Sequence, residues 1–374
     1  ASAPGRAAVA CVRLSGPRAA DALAALAAPV PPPRRLSRRT IRHPVTADVI
    51  DDALVVLFPA PHSVTGEDVV EFHVHGGLVP TRRLLDALAE LDGLAPAAPG
   101  EFSRRAFLNG RLDLAQAEAV ADLVDAETEA QARQALRQLD GVLGRQVRAW
   151  QAHLMALRVP LEASLDFADE SDVGAAAAAD DAIAELASAI AEALADAGGE
   201  RLRAGLRVAL VGPPNAGKSS LLNALARRDA AIVSAEPGTT RDVLEVALEL
   251  DGLPLTVVDT AGLRETAEGI EAEGIRRARA AAAAADLTVY AVDGARWPVA
   301  ETPAVAADVL LLTKADLGPA APHALAERPL LPVSVTSPGG VEPLVRALTD
   351  AARARLGQGA AGLWTRARHR EALA

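Results

Sequence analysis

One segment, Gly212-Pro-Pro-Asn-Ala-Gly-Lys-Ser219, constrains the fold of this 374-residue chain more than any other. It follows the apolar run Val208–Val211 and precedes the helical pattern Ser219–Ala226, so it predicts a strand, a tight loop and a helix in succession. The backbone N–H groups of such a loop hold phosphates, with Lys218 at the β and γ oxygens and the Ser219 hydroxyl on Mg²⁺. The segment therefore predicts a phosphate-binding loop in a doubly wound α/β domain.

Two later motifs extend this prediction to a particular base. Asp259-Thr-Ala-Gly262 follows a strand-like run, which puts a carboxylate near the Mg²⁺ and a glycine N–H near the γ-phosphate. Thr313-Lys-Ala-Asp316 follows another, and Asp316 can accept two hydrogen bonds from guanine N1 and N2, a donor pair that adenine lacks. The motif usually begins with Asn rather than Thr313. Asp316 favours a guanine nucleotide and disfavours an ATP-using P-loop enzyme.

The residues around these motifs suggest how hydrolysis is achieved. Leu263 follows Gly262, so the glutamine that orients water in Ras-type GTPases is absent. The amide oxygen of Asn215 could hold a monovalent cation beside the phosphates, or Asn215 could simply stabilise its loop. Acidic candidates for orienting the water follow in the same segment, and the sequence does not choose among them: Glu265, Glu268, Glu271 and Glu273.

The remainder of the chain divides into an α/β part and a helical part. Strands are predicted at 7–14, 51–58 and 69–75, and helices at 17–28 and 78–91. Leucines recur at helical spacing from Leu136 to Leu161, which predicts one long bundle helix. Residues 166–172 are predicted to form a loop, and a helix at 180–197 is predicted to stop at Gly198 and Gly199. From Leu206, short apolar strands alternate with helices, which is typical of βαβ units.

Composition excludes several classes of protein. The net charge of −11 argues against general electrostatic binding of nucleic acid. Cys11 is the single cysteine, so an intrachain disulfide is excluded, and no run approaches the roughly 20 apolar residues of a membrane span. These features predict a cytoplasmic protein. Lys218 and Lys314, the two lysines among 38 basic residues, both fall in the nucleotide motifs.

Three polar groups outside these motifs are open to two interpretations each. The basic run from Arg34 to Arg42 is interpreted as a solvated loop, with a tRNA or partner surface as the alternative. His73 and His75 alternate on a strand, but no third ligand has a suitable spacing for a metal. Glu118, Asp122 and Asp125 are interpreted as a solvated helix stripe.

Several strings along the whole chain resemble the tRNA modification GTPase MnmE (TrmE) family, within the TrmE/Era branch of P-loop GTPases. They are the three nucleotide motifs with Asn215, the switch-like Gly238-Thr-Thr-Arg-Asp242, Pro4-Gly-Arg6, Val12-Arg-Leu-Ser-Gly16, Thr65-Gly-Glu-Asp68, His75-Gly-Gly77, Pro99-Gly-Glu-Phe-Ser103, Arg105-Ala-Phe-Leu-Asn-Gly110 and Leu112-Asp-Leu-Ala-Gln-Ala-Glu118. The stretch from Pro99 to Glu118 is the most specific of them.

The resemblance implies a multidomain protein, α/β plus all-α. Residues 1–111 would form a small α/β domain that binds a tetrahydrofolate derivative (the 5-formyl or 5,10-methylene form) and dimerises. Residues 112–205, continued by 357–374, would form a helical bundle domain, and 206–356 a Ras-like, doubly wound G domain inserted into it. With the flavoprotein partner MnmG, such a homodimer adds an aminomethyl or carboxymethylaminomethyl group at C5 of the wobble uridine of tRNA, aided by K⁺.

Carried over by position, the resemblance and the motifs give the following site. The catalytic residues are Glu271 (which orients the water), Asn215 and Lys218; K⁺ is held by Asn215, Ser234, Glu236 and Thr239; Mg²⁺ by Ser219 and Thr240; and folate by Arg13, Glu71 and Arg111. The nucleotide is bound by Gly212, Asn215, Ala216, Gly217, Lys218, Ser219, Ser220, Ser234, Thr239, Thr240, Asp259, Thr260, Ala261, Gly262, Thr313, Lys314, Asp316, Ser334, Val335 and Thr336.

Two departures from the family pattern accompany this expectation. Arg111 stands where lysine is usual, which keeps the charge but not the shape. Family members end in a Cys-Ile-Gly-Lys type of motif that this chain does not reach; the expected modification chemistry depends on that motif, whereas GTP hydrolysis does not. The alternative function is a GTP-switched, RNA-binding protein of ribosome assembly, but residues 1–111 contain no basic module interleaved with aromatics.

Overall fold

The computed structural model describes residues 2–3, 5–166, 173–228, 244–259, 276, 279–296, 306–317, 324–325, 328–356 and 362–373. The chain forms two compact units, residues 1–121 and 122–374. Within the described residues, no helix is both long and apolar enough to cross a bilayer.

The first unit is an antiparallel sheet covered by helices. Its elements are β1 (Val9–Ser15), α1 (Ala19–Ala27), β2 (Ser37–Arg42), β3 (Val49–Phe58), β4 (Val69–His75), α2 (Leu78–Ala89), α3 (Glu101–Leu108) and the larger part of α4 (Leu114–Val124). As far as the structure is described, the sheet has four strands in the order β1-β4-β3-β2. Leu23, Phe72 and Leu84 are fully buried in a core shared by the sheet, α1 and α2.

Three strands and two helices of this unit agree with the sequence prediction, but β2 was missed. The basic run from Arg34 to Arg42 was interpreted as a loop, and that interpretation is wrong for residues 37–42, which pair with β3. β2 lies at the edge of the sheet, where charged side chains are tolerated because one side faces water. Arg38 forms an ion pair with Asp52 on β3, and Ile41 alone of the strand is buried.

The helices of the second unit are α5 (Glu129–Leu139), α6 (Val142–Asp166), α7 (Val173–Ala195), α8 (Gly198–Ala204), α9 (Lys218–Arg228), α10 (Glu342–Leu356) and α11 (Ala367–Glu371), with the end of α4. The prediction of one long helix from Leu136 to Leu161 is wrong, because the helix is interrupted between α5 and α6. Gly141 lies at this break with φ of +78°, a conformation that glycine adopts without strain. Thr128 and Gln131 form a capping box that fixes the start of α5.

The prediction that Gly198 and Gly199 end a helix is also wrong, since they begin α8. Glycine is needed here for close packing and not to end a helix, because a Cβ on Gly199 would lie 2.3 Å from the Trp364 carbonyl oxygen. Helix α7 ends slightly earlier, at Ala195. The predicted loop beyond Asp166, residues 167–172, lies outside the described residues.

The second unit also contains a mixed sheet. Its strands are β5 (Leu206–Val211), β6 (Leu244–Leu250), β7 (Leu253–Asp259), β8 (Leu287–Asp293), β9 (Val309–Thr313) and β12 (Leu331–Pro332); β10 (Ala324–Leu325) and β11 (Arg328–Pro329) form a separate pair. In the part of the chain that is described, the sheet order is β12-β9-β8-β5-β7-β6, parallel except for β6. The predicted fold class, α/β units with a helical part and a doubly wound domain, is confirmed.

Residues 362–373 pack against the helices of this unit. Trp364 is fully buried, and its indole Nε1 donates to the Ala193 carbonyl at 2.6 Å. The Gln138 amide donates to the Leu363 carbonyl at 2.7 Å, and Arg370 forms an ion pair with Glu200 at 2.5 Å. The residues that follow the mixed sheet in sequence therefore pack against α5, α7 and α8, which precede it in sequence.

Candidate nucleotide site

The predicted nucleotide motifs meet at one edge of the mixed sheet. Strands β5, β7, β8, β9 and β12 are parallel, so the residues that follow them lie at a common carboxyl edge. β5 is central, flanked by β7 and β8, and is followed by the phosphate-binding loop. Ligands of open α/β sheets bind at such an edge, beside the strand where the order reverses.

The phosphate-binding loop is held in a fixed conformation by glycines at two of its positions. Gly212 has φ of +146°, and a Cβ there would lie 2.3 Å from the Ala291 carbonyl oxygen. Gly217 has φ of +82° directly before α9. Because helix α9 begins inside the motif, its first amides face the loop and supply the partial positive charge that phosphate requires.

Lys218 lies within this loop and is buried. Its Nζ donates to the carbonyl oxygens of Gly212 at 2.9 Å and Pro213 at 2.8 Å. The ammonium group is therefore already at the mouth of the loop, where the β and γ oxygens of a nucleotide would compete for its protons. Ser219 and Ser220 follow on the first turn of α9 and are exposed.

Thr313 and Lys314 connect the end of β9 to the phosphate-binding loop. The buried Thr313 hydroxyl lies 2.7 Å from the Ala216 carbonyl and 3.0 Å from the Val292 carbonyl. Lys314 Nζ donates to the Asn215 carbonyl at 2.9 Å and to Asp293 Oδ2 at 2.8 Å. Thr313 thus ties the two motifs together in the position where Asn is usual.

Asp293 is a site residue that sequence reasoning missed. It ends β8, its side chain is only 9% exposed, and it positions Lys314. The signal was available, since Asp293 ends an apolar strand just as Asp259 and Thr313 do.

Asp316 is oriented by the segment after β12. The Thr336 hydroxyl donates to Asp316 Oδ2 at 2.9 Å, and it lies 3.0 Å from the Ser334 hydroxyl. Hydrogen bonds from the side chains of Ser334 and Thr336 lower the pKa of the Asp316 carboxyl group. Asp316 is therefore ionised at neutral pH and presents an acceptor for a guanine N–H pair.

Some predicted site residues lie outside the described residues, and their assignments stay predictions. These are Ser234, Glu236, Thr239, Thr240, Thr260, Ala261, Gly262 and Glu271. Asp259 is the last residue of β7. The other nucleotide-site residues follow the parallel strands at the shared edge.

The predicted folate residues lie in the first unit. Arg13 on β1 and Glu71 on β4 face each other across the sheet and form an ion pair, with Arg13 Nη2 2.6 Å from Glu71 Oε1. Arg111 is exposed and follows α3, and a Cβ on Gly66 would lie 3.2 Å from its Cγ. The structure thus brings two of the three residues into contact and puts the third beside the loop at Gly66.

One further expectation needs correction, and a second gains a structural detail. Asp122 is not part of a solvated stripe: it is 12% exposed and contacts Arg203 at 2.7 Å and Arg366 at 2.8 Å. For His73 and His75, the expectation that no third residue completes a metal site with this pair stays a prediction, but His73 alone has two candidate ligand residues beside it, Cys11 and Glu71. Cys11 lies opposite His73 on the neighbouring strand, a proximity that spacing within one strand cannot reveal.

The fold and the site define a P-loop protein with a guanine-nucleotide site. The chain matches the family models described as GTP-binding protein TrmE N-terminus, over residues 1–111, and MnmE helical domain, over residues 114–374. It belongs to the MnmE (TrmE) family and is a GTPase.

Individual relatives support this membership. The proteins named tRNA modification GTPase MnmE from Rhodospirillum rubrum and Methylorubrum populi are each 54% identical to the whole chain, which covers 86% and 84% of their lengths. The membership rests on these two relatives and the family models. A solved structure, the FeoB G domain of Methanococcus jannaschii, is 28% identical over 40% of this chain and 98% of its own, with a TM-score of 0.29.

Proposed function

We propose that this GTPase acts in tRNA modification, where with the flavoprotein MnmG it adds an aminomethyl or carboxymethylaminomethyl group at C5 of the wobble uridine. The observation that carries the proposal is 54% identity along the whole chain to proteins named tRNA modification GTPases. We further propose that the protein works in the cytoplasm as a homodimer. GTP is the substrate of the nucleotide site.

The residues at the sheet edge account for phosphate binding. Lys218 would exchange its carbonyl partners for phosphate oxygens, and the first amides of α9 would hold the remaining oxygens. Ser219, which is exposed on the first turn of α9, is the proposed Mg²⁺ ligand, with Thr240 as its proposed companion. When bound, the ion neutralises charge on the β- and γ-phosphates.

Asn215 is the proposed centre of K⁺ binding. Its φ of +62° and the hydrogen bond from Lys314 to its carbonyl fix the backbone, while its side chain is exposed at the loop. An amide oxygen presented in this way suits a monovalent cation, with Ser234, Glu236 and Thr239 as further ligands. The cation would supply the charge that an arginine finger supplies in other GTPases, and Glu271 would orient the water.

Turnover of GTP is expected to be at least about tenfold faster in KCl than in NaCl at equal ionic strength, since each 1.36 kcal/mol of transition-state stabilisation is a factor of ten. Asn215→Gly keeps the backbone freedom that φ of +62° requires but removes the amide. This variant should lose the difference between the two salts. Equal rates for the wild type in KCl and NaCl would refute the cation assignment and leave the GTPase intact.

Folate binding is a separate prediction. In equilibrium dialysis with 5-formyltetrahydrofolate, Arg111→Ala should weaken binding about tenfold or more, because a charge-assisted hydrogen bond to the anionic ligand is lost. Arg111 is exposed, so the change leaves the fold intact. Arg82→Ala is the matched control, an arginine that is 84% exposed on α2. Retention of full affinity by Arg111→Ala, or no binding by the wild type, contradicts the folate assignment.

A further inference from the structure

The side of the β1-β4 pair that faces away from the core carries a half-buried cluster of side chains of metal-binding types. Cys11 on β1 pairs directly with His73 on β4, and Glu71 lies two residues before His73 on the same face. The ligand atoms of these three residues all lie within 4.8 Å of one another. Their neighbours Val12 and Phe72 point to the other face and are buried in the core, so the strands hold the cluster in place.

We propose that Cys11, Glu71 and His73 form a binding site for a thiophilic divalent cation, with Zn²⁺ as the best match. A thiolate, an imidazole and a carboxylate are the ligand types that zinc takes, and three protein ligands leave a fourth position open. Tetrahedral zinc places its ligand atoms roughly 3.3–3.6 Å apart, as follows from its bond lengths. The three groups therefore need side-chain adjustment but no movement of the strands.

The two carboxylate oxygens of Glu71 have different hydrogen-bond partners. Arg13 binds Oε1, with its Nε at 2.8 Å and its Nη2 at 2.6 Å. Oε2 faces His73, whose Nε2 lies 3.1 Å away. A ligating carboxylate is commonly held by an outer partner such as Arg13. A cation would replace the hydrogen bond between Oε2 and His73 Nε2, with the His73 ring proton moving to Nδ1.

The charge balance of the site changes when a cation binds, because burial and then the Glu71 carboxylate raise the pKa of the Cys11 thiol, which keeps its proton until a cation displaces it. With the Cys11 thiol deprotonated, its proton passing to solvent, the thiolate and the Glu71 carboxylate carry two negative charges against the single positive charge of Arg13. A divalent cation then leaves one net positive charge, which fits water, hydroxide or an anionic group as the fourth ligand. The neighbouring His75 belongs to a different pair, because its Nδ1 lies 2.8 Å from Asp51 Oδ1.

Cobalt provides a direct test on the full chain. After treatment with a chelator and its removal, the wild type titrated with Co²⁺ should show a thiolate-to-cobalt charge-transfer band that saturates at one equivalent. Cys11 is the single cysteine, so this band reports on that residue alone. Added Zn²⁺ should displace the cobalt and abolish the band.

Variants locate the other ligands. Cys11→Ser should lose the band, and both Cys11→Ser and His73→Gln should bind Zn²⁺ at least about 100-fold more weakly. His75→Gln is the matched control and should behave as the wild type. Zn²⁺ should also raise the melting temperature of the wild type and not that of Cys11→Ser, provided that both give the same circular dichroism spectrum.

The inference fails if the wild type shows no charge-transfer band, or if Cys11→Ser and His73→Gln bind Zn²⁺ as tightly as the wild type. The metal site and the proposed folate site share Glu71, so folate binding is measured separately, on chelator-treated protein without added metal. Cys11→Ser leaves Arg13, Glu71 and Arg111 in place, so it should retain 5-formyltetrahydrofolate binding whether or not the metal site exists.

Discussion

Asp316→Asn is expected to lower kcat/KM for GTP by about 10⁴-fold, the scale reached when a site built for a hydrogen-bonding group loses its partner. The ionised carboxylate would accept from guanine N1 and N2, whereas asparagine offers one carbonyl oxygen and an amide that donates. That amide faces a donor in guanine but an acceptor in xanthine, which has an oxygen at C2. The variant should therefore prefer xanthosine triphosphate.

Steady-state hydrolysis of GTP and xanthosine triphosphate by the wild type and the variant measures this switch. Leu317→Asn is the matched control, because it introduces the same side chain at the adjacent, 68% exposed position. The hydroxyls of Ser334 and Thr336 can serve the asparagine oxygen as they serve Asp316, so the loop should keep its conformation. Unchanged selectivity for GTP would refute the assignment of Asp316 to base recognition.

The nucleotide site was predictable from sequence because it is assembled from short motifs that follow parallel strands. Each motif carries its own local signal, and parallel pairing brings the strand ends together without further information. What the motifs did not reveal are the contacts between them. Thr313 bonds to the Ala216 carbonyl and Asp293 holds Lys314, and these pairs are separated by 97 and 21 residues.

The errors in the predicted secondary structure also arise from contacts between distant parts of the chain. Strand β2 is hidden because its arginines face water at a sheet edge, and its pairing with β3 appears only in three dimensions. The glycines that begin α8 look like a helix end until the Trp364 backbone is placed against them. Local propensity described these segments in isolation, and tertiary contacts decided their conformation.

Residues 362–373, and Trp364 in particular, are expected to contribute strongly to the stability of the second unit. Trp364 is fully buried, and its ring lies 6.1 Å from that of Trp150 on α6, measured between centroids. Its indole N–H donates to the Ala193 carbonyl in the last turn of α7, which also accepts from the Asp196 N–H at 3.2 Å. Trp364 therefore fills the space between helices and adds a second hydrogen bond at the end of α7.

Trp364→Ala is expected to lower the free energy of unfolding by about 3–5 kcal/mol, because it leaves a large cavity in the packed core. Urea unfolding followed by far-ultraviolet circular dichroism measures the loss. Trp364→Phe keeps most of the apolar volume but removes the donor to Ala193, so its cost should be only about 1–2 kcal/mol. A loss below about 1 kcal/mol for Trp364→Ala would mean that residues 362–373 contribute little to the stability of the helices they contact. If Trp364→Ala has a much lower free energy of unfolding than Trp364→Phe, as expected, then residues 362–373 form part of the core that supports α5, α7 and α8.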